Sequence, residues 1–166
     1  MDDKIFDQVH EVDLEKTMKE SKLNISRNIK KLLIGDGPEY IAIDLDDQAL
    51  LPSLTQMTKE LQASMPGYET RAKEIDALPA ATVDEQIAKL TAMNELNTEV
   101  SGILVEKLNA AFHENVCQKV YGNIQPDIYA LSELLVQLCE ETRAAMEEKN
   151  KAQSEKLRKY TAKYQK

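Results

Sequence analysis

The stretch AAFHENVCQKVYGNIQPD, residues 110–127, parts two long segments of helical periodicity. Before it, Val83, Ile87, Leu90, Met93, Leu96, Val100, Ile103, Leu104, Leu108, Ala111 and Phe112 recur at steps of three and four, the spacing that lines one face of an α-helix. "TVDE" at residues 82–85 is a capping box, in which Thr82 and Glu85 each satisfy a backbone N–H of the other. After the stretch, Gln125-Pro126-Asp127 predicts a helix start with Pro126 in the first turn, where a missing N–H costs nothing. Ile128, Leu131, Leu134, Leu135, Leu138, Cys139 and Met146 form that helix's buried stripe. Gly122 is expected to take the left-handed conformation that ends one helix before the next begins. The two long helices are expected to pack antiparallel across that turn.

Upstream, "KKLLIGDGPEYIAIDL" (30–45) holds two apolar runs around Gly35-Asp36-Gly37-Pro38, and Ile41, Ile43 and Leu45 alternate onto one side. A β-hairpin follows, with Gly35 and Gly37 in its turn. A competing reading places Ile25, Ile29, Leu32 and Leu33 on a helix face capped by Ser26. Asp46 or Asp47 caps the next helix, whose face is Leu50, Leu51, Leu54, Met57, Thr58, Leu61 and Met65. "MPGY" (65–68) stops it, and a short helix from about Tyr68 to Ala77 leads to Pro79. The expected fold is mostly α, a small N-terminal hairpin followed by a helical bundle with two long helices. Residues 1–29 read as an arm, mobile or a marginal helix, 30–148 as one helical domain with the hairpin, and 149–166 as a basic helical extension.

The 166 residues are long enough for one domain with a sizeable core, and 42% hydrophobic content is ordinary for a folded chain. The net charge of -8 opposes binding to nucleic acid or anionic membrane. That average hides seven basic residues against one acid between Lys149 and Lys166. The absence of a 20-residue apolar run argues against a membrane span. Two cysteines and an N-terminus without a basic, apolar leader indicate a cytosolic protein without a disulfide framework.

His113 and Cys117 lie four apart, one helical turn, and Cys139 can approach from the next helix. Zinc needs three or four such ligands, and the remaining histidine, His10, lies in the arm. A buried thiol beside an exposed imidazole explains the pair, so no metal, cofactor or catalytic residue is expected. A cysteine nucleophile lacks a glycine-rich oxyanion loop and an orienting acid. Asp44, Asp46 and Asp47 fail the EF-hand pattern, because Ala49 and Thr55 stand where glycine and glutamate are required. Gly35 and Gly37 lack the lysine and spacing of a P-loop. Basic residues near a helix C-terminus suit its dipole, and they also suit an acidic partner.

With those chemistries set aside, "FHENVCQKVYGN" (112–123) resembles a segment of the tail assembly chaperones of long-tailed phages and prophages of Gram-positive bacteria. Phe112, Lys119, Val120, Tyr121, Gly122 and Asn123 match a Phe, a bend, a Lys-Val-Phe/Tyr-Gly-Asp/Asn turn and a last helix with a basic end. "GDGPEYIAIDLDDQALLPSL" (35–54) is similar to that family's opening hairpin, and the resemblance runs from Lys30 to the C-terminus. His113 and Asn115 stand where glycines are expected, so the long helix is expected to run through the bend. The resemblance implies a non-catalytic chaperone that binds the tape measure protein and tail tube subunits in the bacterial cytoplasm, and a helix pair with apolar surface for a long partner is expected to self-associate as well. The protein-binding candidates are Phe112, Val116, Val120, Tyr121, Lys156, Arg158 and Lys159, and Gly35, Gly37, Gly122 and Pro126 are turn residues. The alternative is a small regulatory adaptor that binds nucleic acid or an acidic partner through its basic tail.

Overall fold

A computed structural model describes Leu23 and residues 25–164 of the chain. The arm read over residues 1–29 therefore lies outside the described residues, apart from its last few positions. Strands β1 (Ile29–Leu33) and β2 (Tyr40–Asp44) pair antiparallel, with Leu32 opposite Ile41 and Lys30 opposite Ile43. Gly35 takes φ 57° in the turn, and Ile34 N–H donates to Glu39 O at 3.0 Å. Ile41 and Ile43 are buried, whereas Ile29 and Leu33 are exposed on the other face. That alternation replaces the helical reading of Ile25 to Leu33.

In this register the N–H and C=O groups of Tyr40 and Ala42 point away from β1, and a lone strand edge leaves them to water. Here Glu114 Oε1 accepts from Ala42 N–H at 3.1 Å, and Lys119 Nζ donates to Tyr40 O at 3.0 Å. Glu114 and Lys119 are themselves paired. Two side chains from the bend thus stand in for a third strand.

Helix α1 (Leu50–Asp76) is one continuous element. The stop expected at Met65–Tyr68 does not occur, because Gln62, whose carbonyl Pro66 deprives of a donor, is exposed and open to water. Contacts beyond the proline hold the helix on course. Tyr68 Oη donates to Asn97 Oδ1 at 2.8 Å, and Arg71 makes a two-pronged pair with Glu99 at 3.1 and 2.9 Å. Asp46 does not cap α1, since its carboxylate is taken up elsewhere. Asp47 Oδ1 accepts from Ala49 N–H at 2.9 Å, just ahead of the first turn.

Helix α2 (Val83–Phe112) begins at the expected Thr82–Glu85 capping box. It ends at Phe112 and does not run through the bend: His113 adopts the left-handed conformation, φ 55° and ψ 28°, that a glycine takes more cheaply. A short helix, α3 (Val116–Tyr121), follows, and Gly122 closes α3 rather than a long helix. The last helix, α4 (Ile128–Tyr164), starts after Pro126, not with it. Asp127 is the cap, its Oδ1 accepting from Ala130 N–H at 2.8 Å.

Pairs along the helices fix their directions. Glu60 with Lys107, Arg71 with Glu99, and Asp76 with Lys89 run α1 and α2 antiparallel. Asp46 with Lys149, Thr58 with Cys139, and Tyr68 edge-on to Tyr129 run α4 antiparallel to α1. α4 is therefore parallel to α2, the opposite of the expected arrangement. The cause is the route between them. Asn109 Oδ1 accepts from Cys117 N–H at 3.3 Å, laying α3 back along α2, and Gln125 Nε2 reaches Thr98 Oγ1 at 3.1 Å. Thr98 precedes Phe112 by about 21 Å of helix at 1.5 Å per residue, so the connection returns that distance before α4 begins. The core lies where the three helices and the hairpin meet, around Ile41, Ile43, Leu54, Leu108, Val116 and Leu135. Burying each such side chain contributes about 1.5–3 kcal/mol.

Gly122 has φ 62° with ψ −127°, outside the small left-handed region open to side-chain-bearing residues. Gly122→Val is expected to cost about 1–3 kcal/mol and lower the melting temperature by several degrees, whereas His113→Gly is expected to raise it. Thermal unfolding followed by circular dichroism checks both signs, and an unchanged melting temperature for Gly122→Val contradicts this turn.

Candidate functional site

The residues singled out in the bend turn inward. Phe112 and Val116 are buried in the core, and Val120 and Tyr121 pack against it, with Tyr121 Oη donating to Ala130 O at 2.9 Å. Their apolar character serves this chain's own packing, because α3 is folded back against α2, while Val120 and Tyr121 keep part of their surface outward. Burial pushes the Tyr121 phenol up. Lys156, Arg158 and Lys159 are exposed on the far part of α4.

The apolar surface that does face outward lies elsewhere. α4 begins level with Tyr68 and Asn97, so the last turns of α1 and the first turns of α2 project past it as a two-helix tip. Val83, Ile87 and Leu90 follow one another on α2 at helical spacing there and are 70%, 56% and 68% exposed. The sequence reading places these three on the single apolar face of the helix, where core and contact positions carry the same signature. Their spacing continues the true core stripe, and the early end of the covering helix is what separates them from it. Lower down, a groove of about 400 Å³ runs between α1 and α2 over Met57, Leu61, Val100 and Leu104, bridged by the Arg71–Glu99 and Glu60–Lys107 pairs.

A second cluster marks where α4 leaves the body. Asn28 donates to Asp46 through its backbone N–H and its side-chain amide, both at 2.9 Å. Lys149 Nζ donates to Asp46 Oδ1 at 2.6 Å and to Leu45 O at 2.7 Å. The Asn28 amide, followed by the Lys149 ammonium, holds the Asp46 carboxyl well below the usual carboxylate range. Arg27, paired to Asp44, lowers that carboxyl too. Asp46, read as one of two candidate helix caps, instead binds the chain before β1 to the middle of α4. Nothing local in the sequence links Asn28, Asp46 and Lys149, which lie far apart along the chain.

His113, Cys117 and Cys139 are not brought together. His113 is exposed as the α2 cap, both thiols are buried, and no group of three or more potential metal ligands occurs among the described residues. Burial pushes the Cys117 thiol up, away from the reactive thiolate. No helix among the described residues is long and apolar enough to cross a membrane. The chain matches no protein-family model, no curated protein and no solved structure.

A carboxyl lowered by folding stabilises the fold above its unfolded pKa, and that contribution is lost as pH falls through its folded value. Asp46 is therefore expected to titrate below the ordinary value of about 3.9, and the clasp on Lys149 and Asn28 to loosen at more acidic pH still. Carbon-detected NMR of the Asp46 carboxyl checks this; an ordinary midpoint contradicts the clasp.

Proposed function

We propose that the chain is a non-catalytic, protein-binding chaperone that shields apolar helical segments of another protein. The observation that carries this reading is the line of Val83, Ile87 and Leu90 left outward on the α1–α2 tip. Soluble proteins rarely expose contiguous apolar surface without a use for it, and an i, i+4, i+7 row is the form in which a helix meets another helix. Around the row, Asp76 is paired with Lys89 and Glu85 is held in the capping box, so the charges of the tip are mixed. A partner helix with an apolar seam fits it.

The resemblance to tail assembly chaperones supplies the partners: the tape measure protein, a long helical chain with much apolar surface to protect, and the tail tube subunits. Self-association through the same row belongs to this reading, as does action in the cytoplasm of the bacterial host. The alternative, an adaptor binding nucleic acid or an acidic partner, draws on the exposed Lys156, Arg158 and Lys159. It predicts a salt-sensitive mobility shift with DNA or RNA that deletion of residues 150–166 abolishes.

Light-scattering chromatography with the long coiled-coil protein encoded beside the gene tests the first reading. The native chain is expected to form a complex that keeps the partner in solution, and Ile87→Asp with Leu90→Glu to abolish it. Because both positions are exposed, the melting temperature of the double variant should hold to within about 0.5 kcal/mol of stability per site. A native chain that ignores the partner overturns the reading, and an unaffected double variant removes the tip from it.

A further inference from the structure

Lys149 is the last residue of α4 tied to the body. Beyond it, every described residue from Asn150 to Tyr164 is exposed, and the helix continues for about four turns with nothing described upon it. This projection has a defined chemistry. Lys151, Lys156, Arg158, Lys159 and Lys163 stand against Glu155 alone, a net charge of +4. Leu157, Tyr160 and Tyr164, at steps of three and four, form one apolar row and are 65%, 64% and 86% exposed.

We propose that this projection is the docking surface for the acidic N-terminal segment of the same chain, residues 2–15. That segment carries Asp2, Asp3, Asp7, Glu11, Asp13 and Glu15 against Lys4, a net charge of −5 with His10 neutral. It is the charge complement of the projection. Its apolar residues Ile5, Val9 and Val12 are spaced four and three, so the two rows each cover eight residues from first to last.

The chain's route supplies the second argument. Arg27 and Asn28 are fastened to Asp44 and Asp46, and Asp46 also holds Lys149. The N-terminal segment therefore joins the body at the foot of the projection. Residues 16–26 can span up to about 36 Å at 3.3 Å per residue, and the projection is about 22 Å long at 1.5 Å per residue. Every part of the basic helix is in reach. A short tether also gives an effective concentration in the millimolar range, which a second copy at micromolar concentration cannot match. The proposal does not rest on the chaperone reading, since the occupant is the chain itself.

Carbodiimide coupling, which joins carboxylates to lysines only in contact, tests this on the full-length chain, using a mixture of unlabelled and nitrogen-15-labelled protein. Asp46 and Lys149, 2.6 Å apart, are a built-in positive control. Bonds from carboxylates of residues 2–15 to Lys156, Lys159 or Lys163 are expected in products of monomer mass and single isotopic composition. They should fall several-fold at about 1 M salt, where the Debye length is about 3 Å. Leu157→Ser with Tyr160→Ser keeps every lysine and should lower the same yields several-fold. Coupling of Asp46 to Lys149 with none from residues 2–15 to the projection overturns the proposal. Products of mixed isotopic composition overturn it in favour of a second copy. Equal coupling of the segment to Lys59 or Lys89 also overturns it.

Discussion

A strand at the edge of a sheet needs partners for its outward N–H and C=O groups, and a two-stranded hairpin has few elements to supply them. Glu114 and Lys119, five positions apart across the bend between α2 and α3, supply one of each to β2. The hairpin is thereby fixed to the point where the chain reverses. His113 in the left-handed conformation aims Glu114 at Ala42, and the short α3 brings Lys119 back to Tyr40. The tie holds the face of β2 that buries Ile41 and Ile43 against the body, next to the point from which the chain returns toward the start of α4.

The parallel arrangement has a geometric cost that the chain puts to use. In an antiparallel pair joined by a tight turn, two helices of similar length cover one another. Here α4 starts partway along α2 and is 37 residues long, so it leaves the α1–α2 tip bare at one end and overshoots the body at the other. The bare end is apolar with flanks of mixed charge, and the overshoot is apolar with basic flanks. Both surfaces proposed to bind something arise from one offset, and the core between them is an ordinary close-packed one.

Much of this was legible in the sequence, because it rests on local chemistry. The hairpin follows from alternation around Gly35, the start of α2 from Thr82 and Glu85, and the buried stripe of α4 from Ile128 to Cys139. What failed depends on distant residues. Pro66 is a good reason for a helix to stop, yet Tyr68 and Arg71 are held by Asn97 and Glu99 of α2. Asp46 has a capping residue's composition and spends its carboxylate on Asn28 and Lys149. The proposed binding surface was the least legible part. Val83, Ile87 and Leu90 share one periodicity with Leu104 and Leu108, and Phe112 and Val116 look as suited to a partner as to a core. The level at which α4 begins separates the first group, and the folding of α3 back against α2 decides the second.

The hairpin leaves β1 as its one outer edge among the described residues, and the composition of that edge matters to a protein rich in outward apolar groups. Lys30 is drawn to Glu141, and Lys31 lies 4.5 Å over the Tyr40 ring, so two cations sit at the centre of a strand flanked by Ile29 and Leu33. A second β1 laid alongside would bring lysines against lysines. With Ala42 N–H and Tyr40 C=O of β2 taken by Glu114 and Lys119, neither side of the sheet is an easy template for strand addition, the first step of fibrous aggregation. The division of labour is by element type: adhesive groups are carried on helices, whose backbones are already satisfied, and the sheet is made unreceptive.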